Sequence, residues 1–149
     1  MSRTLQAEIE IQASAEQVWE VLTDFAAYRD WNPFIVEASG TALPGHRLEL
    51  DMHLDDRTMT FRPQVLEADP GRKLRWLGRL LMPGLFDGEH SFTIQPTGPG
   101  RVRLIQQEEF RGLLTPLLLA MIAKPTLASF HHMNQALKAR VEQPASTRS

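Results

Sequence analysis

Cysteine is missing from all 149 residues, which excludes disulfides, thiolate catalysis and cysteine-held metals. Charge of one sign is scarce as well. Sixteen Lys and Arg against eighteen Asp and Glu leave a formal net charge of −2, with no run of like charge. Nucleic acid and anionic membranes both call for a basic surface, so no nucleic-acid partner and no stable membrane insertion are expected. The most apolar stretch, residues 113–123, is too short to cross a bilayer and contains Pro116. Residues 1–12 alternate in polarity where a signal peptide would show a basic patch and an apolar run, and a cytoplasmic chain is expected. No internal repeat, phosphate-binding glycine loop, nucleophile elbow or zinc-binding helix is present. His131-His132 point about 100° apart on a helix and have no ligand at i+4, so no metal site is expected there.

What remains is an ordinary globular composition: 42% hydrophobic and 23% charged residues, enough for one domain with a sizeable core. One domain is expected over residues 1–143, with 144–149 as a small, polar tail. Leu5, Ala7, Ile9 and Ile11 alternate with polar residues and predict a half-buried strand. Ser14 with Gln17 forms a capping-box pattern ahead of Val18, Trp19, Val21 and Leu22, which predicts a helix. A second short helix over 25–31 ends at Asn32-Pro33.

Six strand-like runs follow, at 34–40, 47–54, 58–68, 73–81, 86–95 and 101–110, divided by Pro-, Gly- and Asp-containing turns. The count is seven strands, six of them an antiparallel meander with the first at an edge. Finally, Leu127, Phe130, Met133, Leu137 and Val141 recur at helical spacing. Pro116 and Pro125 each lack a donor, so the expectation is a short helical piece over 113–123, a break at Lys124-Pro125, and a firm helix beyond. The first piece would act as a lid beside Trp31 and Phe34. One long amphipathic helix after an antiparallel sheet hides its apolar face most economically if the sheet curls around it, an α+β arrangement.

Several segments carry a family likeness: Ala13-Ser-Ala-Glu-Gln-Val-Trp19, Phe25-Ala-Ala-Tyr-Arg-Asp-Trp-Asn-Pro-Phe-Ile35, Gly88-Glu-His-Ser-Phe92 and Glu108-Glu-Phe-Arg-Gly112. They resemble the START-like, Bet v 1-like (SRPBCC) superfamily, and within it the polyketide cyclase/dehydrase-type branch. The resemblance implies a helix-grip fold: a seven-stranded curved antiparallel sheet wrapped around the C-terminal helix, with two short helices between strands 1 and 2. It also implies a cavity between sheet and helix, a hydrophobic small molecule as partner, and no required cofactor. This is a fold that hosts many functions.

Register supplies candidate chemistry independently. If opposed residues of the last hairpin sum to 198, His90 faces Glu108, Phe92 faces Gln106 and Ile94 faces Leu104. Alternation then turns His90, Gln106 and Glu108 toward the helix, where ionisable groups are costly unless paired. They would form either the polar end of a ligand pocket or a satisfied pair sealing one end of the barrel. Tyr28, Trp31 and Phe34, with Phe25, would be an aromatic wall at the cavity mouth or the glue between a short helix and the sheet. Met52, Phe61, Trp76, Phe92, Leu104 and Phe130 are expected as lining, and each would serve equally as core. Two functions fit: binding of a lipid-like, aromatic or polyketide-like molecule, or a cofactor-independent cyclase/dehydratase in which His90 and Glu108 move protons.

Overall fold

The computed structural model describes residues 2–80 and 82–143. In chain order these form β1 (Ser2–Ile11), α1 (Ala15–Thr23), a 3-10 turn (Phe25–Ala27), α2 (Tyr28–Trp31), β2 (Ile35–Ser39), β3 (Glu49–Leu54), β4 (Arg57–Phe61), β5 (Gln64–Asp69), β6 (Lys73–Leu80), β7 (Phe86–Gly98), β8 (Arg101–Arg111) and α3 (Thr115–Glu142). The α+β helix-grip arrangement is present, with α3 lying against β1 and β8. The expected tail, 144–149, lies outside the described residues.

The strand count is eight, one more than the sequence suggested. The run expected over 58–68 divides at Arg62-Pro63. There the chain leaves one sheet and enters another. A five-stranded sheet of order β1-β8-β7-β6-β5 is joined to a three-stranded sheet, β2-β3-β4, through the bridge Arg47↔Gln64 and backbone hydrogen bonds from Leu48 N–H to the Pro63 carbonyl and from Val65 N–H to the His46 carbonyl. The first strand takes the edge position and pairs with the last, from Ser2↔Arg111 to Ile11↔Val102.

A second correction concerns the C-terminal helix. It is one element of 28 residues that passes through Pro125 without the expected break, so 113–123 is no separate lid. Pro116 sits in the first turn, where its N–H would be unused. Pro125 deprives the Met121 carbonyl of its helical donor, but residue 121 is on the exposed side, where water can replace that bond. Packing decides the rest. Phe130, Met133 and Leu137 are fully buried, each worth roughly 1.5–3 kcal/mol of apolar burial.

At the other end of the core, Ser14 caps α1 in a complete capping box with Gln17. Asn32 Oδ1 accepts from the backbone N–H groups of Phe34 and Ile35, at 2.9 and 2.8 Å, and so turns Phe34 inward. Tyr28 is fully buried, packs edge-on against Phe25 and Trp31, and donates its hydroxyl to the Leu22 carbonyl. Burial, and to a lesser degree Asp24, raises the pKa of this phenol well above its ordinary 10.0. Because the folded-state value is the raised one, the contribution of Tyr28 to stability is complete below pH 10 and declines above it. Tyr28 is the only tyrosine, so the absorbance change on tyrosine ionisation reports on it alone, against a constant background from the three tryptophans. Tyrosinate should appear only as the protein unfolds at high pH, and a simple titration near 10 in folded protein would contradict this. Tyr28→Phe should cost about 1–2 kcal/mol in denaturant unfolding, because it leaves a buried carbonyl unpaired.

Candidate functional site

Splitting the sheet leaves a gap. The β5–β6 pairing ends at Gln64↔Leu77, so residues 78–80 of β6 have no neighbour on that side, and β4 has none beyond β3. In this region, under the first half of α3, lies a cavity of about 390 Å³. Phe34, Met52, Leu54, Met59 and Phe61 line it from the smaller sheet, and Trp76, Gly78, Leu80, Phe86 and Phe110 from the larger. Leu118, Ile122 and Thr126, one helical turn apart, form the roof. Arg57, Met59 and Arg79 are the exposed members of the lining and therefore mark its rim.

The cavity also divides the core. Buried apolar residues fall into a large cluster containing Phe34 and Trp76 and a small one built on Phe86, Phe110 and Leu119, against which Leu118 and Ile122 pack. Residues of both clusters face the empty space.

One carboxyl group interrupts the apolar wall. Glu108 pairs with His90 across β8 and β7, in the register inferred from the hairpin. His90 is 1% exposed and Glu108 19%. Glu108 Oε1 lies 3.1 Å from His90 Nδ1. On its other side, His90 Nε2 lies 2.9 Å from Gln106 Oε1. The Gln106 amide donates to Asn134 Oδ1 at 2.7 Å and to the Phe130 carbonyl at 3.4 Å. With its N–H groups committed to α3, Gln106 presents oxygen to the imidazole, and Nε2 must donate. Trp76 stacks on the His90 ring at 5.2 Å and Phe130 meets it edge-on at 5.1 Å, which fixes the plane. Glu108 Oε2 has no hydrogen-bond partner and is not sealed off. It is a free acceptor on the cavity wall. The Thr126 hydroxyl is buried in the roof without a partner.

Among known proteins, the family described as polyketide cyclase / dehydrase and lipid transport matches residues 2–142. The chain belongs to this family. No curated protein matches it in sequence. A START superfamily protein from Mycobacterium smegmatis is 25% identical, with a TM-score of 0.75 over 94% of this chain and 97% of that one. The Zhui aromatase/cyclase from Streptomyces sp. R1128 is 17% identical, with a TM-score of 0.73 over the full length of both chains. Norcoclaurine synthase from Thalictrum flavum, in complex with dopamine and hydroxybenzaldehyde, is 14% identical, with a TM-score of 0.73 over 100% of this chain and 90% of that one. The last two are likenesses of fold.

Within this cyclase/dehydrase-family domain, the residues singled out from sequence separate into two groups. Phe34, Met52, Phe61, Trp76 and Glu108 line the cavity. Tyr28, Phe92, Leu104 and Phe130 are buried in the large core cluster, Trp31 packs against its edge, and His90 and Gln106 stand behind Glu108. The lining that sequence reading missed had two usable signals. Continuing the hairpin alternation outward reaches Gly88 and Phe110, and spacing of four along the helix gives Leu118, Ile122 and Thr126. Nothing in the sequence marks Arg57 and Arg79, which reach the rim only because the sheet parts there.

Gly88 holds the site open. A Cβ at this position would stand 2.2 Å from Glu108 Oε2, whereas one at Gly78 would meet only Pro63 Cβ at 3.9 Å and the Gly88 carbonyl at 4.0 Å. Gly88→Ala should therefore push the carboxylate off His90 and cost about 1–3 kcal/mol, while Gly78→Ala should be within about 1 kcal/mol of wild type. Thermal unfolding of the two variants, with the His90 ring resonances as a local probe, checks the contrast. Equal effects would contradict the geometry.

Proposed function

We propose that the protein binds one apolar or amphipathic small molecule in the space between sheet and helix, with Glu108 as its polar anchor. The observation that carries this is a cavity of about 390 Å³, mostly apolar, with the Glu108 carboxyl and the Thr126 hydroxyl inside and Arg57 and Arg79 at its rim. Ligand pockets run from roughly 300 to 1,000 Å³ and have this character. A synthase of the same fold is known in complex with dopamine and hydroxybenzaldehyde, which supports aromatic occupants. Naphthalene should quench Trp76 and saturate, and native mass spectrometry of protein from its own host should show a retained molecule. Gly78→Leu projects a side chain into the cavity without disturbing its wall. It should abolish naphthalene binding while the protein stays folded, and binding that persists undiminished would sink the reading.

A cyclase- or dehydratase-like reaction is the second reading, favoured by the His90–Glu108 pair. A carboxyl whose other oxygen lies 3.1 Å from a buried imidazole nitrogen, facing mostly apolar surroundings, is equipped to take or give a proton. Ring opening of 5-nitrobenzisoxazole, which needs only a base in an apolar pocket, tests this. Wild type should exceed Glu108→Gln by about 10²-fold or more, and equal rates would exclude proton transfer by Glu108.

A further inference from the structure

The polar groups of the cavity are unlike at its two ends. At the rim, Arg57 makes no ion pair or side-chain hydrogen bond among the described residues, although Asp55 and Asp56 precede it in the turn. Arg79 Nε makes only a long contact, 3.7 Å, to Asp87. Inside are Glu108 Oε2, whose fellow oxygen alone bonds His90, and the Thr126 hydroxyl, buried without a partner among the described residues. Strand register gives the separation. Trp76, His90 and Glu108 lie in one row across β6, β7 and β8, and Arg79, Asp87 and Arg111 lie in another, three residues along. From Glu108 on β8 to Arg79 on β6 that is about 10 Å along the strands and, over two strand spacings, about 10 Å across them.

We infer that the occupant is a hydroxy acid with a rigid apolar body, entering hydroxyl first, its carboxylate left at the arginine rim. This rests on the cavity being a ligand site. The inner hydroxyl donates to Glu108 Oε2, which no protein group satisfies among the described residues. The reverse orientation would set the ligand's carboxylate against that of Glu108, and like charges in an apolar wall repel strongly. At the rim two guanidinium groups offer planar, paired donors suited to a carboxylate. They remain exposed, so their attraction is modest and screened by salt, while the buried hydrogen bond is not.

Four rigid probes separate the two ends: naphthalene, 2-naphthol, 2-naphthoate and 6-hydroxy-2-naphthoate, titrated by calorimetry or Trp76 quenching. In wild type the hydroxyl should tighten binding about tenfold or more, and the carboxylate roughly threefold to tenfold at low salt, so that 6-hydroxy-2-naphthoate binds tightest. The carboxylate's gain should fade in Arg57→Gln and at high salt. The hydroxyl's gain should survive both and shrink in Glu108→Gln, whose fold is checked by thermal unfolding. Arg57 is exposed, so its variant does not test folding, and the ranking in wild type needs no variant at all. Four equal affinities would overturn the inference and leave the cavity as an apolar site. Tighter binding of naphthalene than of 2-naphthol would overturn it too. If no probe saturates, the cavity reading fails and takes this inference with it.

Discussion

A single break in strand pairing shapes this molecule. The run from Thr58 to Ala68 changes sheets at Arg62-Pro63: it stays bonded to residues 46–48 there, but its pairing with β6 goes no further than Gln64. With an unbroken strand at that point, β4 and β6 would be stitched together and the inner faces would close on α3. The parting opens the wall instead and brings outward residues such as Arg79 to the edge of an otherwise apolar interior. A local break in pairing thus becomes a property of the surface.

Much of the architecture was legible because its signals are local and periodic. Alternation named the inward faces of β7 and β8, and the turn at residues 96–100 fixed their register closely enough to set His90 against Glu108. The continuous helix was harder to read. Proline inside a helix carries a local penalty of about 3 kcal/mol, which outweighs any propensity signal on either side. Leu119, Thr126 and Phe130 are buried on either side of it and the helix runs on uninterrupted, which is a tertiary fact. The aromatic cluster at Tyr28 and Trp31 illustrates a different limit. A core corner and a cavity wall both require apolar side chains, and only the position of neighbouring elements tells them apart.

The polar chain from Asn134 through Gln106 and His90 to Glu108 links α3 to the sheet by hydrogen bonds across an otherwise apolar interface. Each member fixes the next, so the orientation of the last oxygen is decided several side chains away. The chain is paired at each link, while Asn134 Nδ2 at its start is buried without a partner among the described residues. Placing the final member at the wall of a cavity gives that orientation an outward reader.

The division of the apolar core into two clusters has a consequence for the lifetime of the protein. A molecule seated between Trp76 and the Phe86–Phe110 pair would join the clusters and act as the missing piece of the interior. Folding and occupancy would then be one equilibrium, with the stability gained rising as the logarithm of free ligand over its dissociation constant. Empty chains would open more often and be cleared sooner by proteases. The amount of protein in a cell would follow the supply of what it holds, with no regulator other than its own unfilled core.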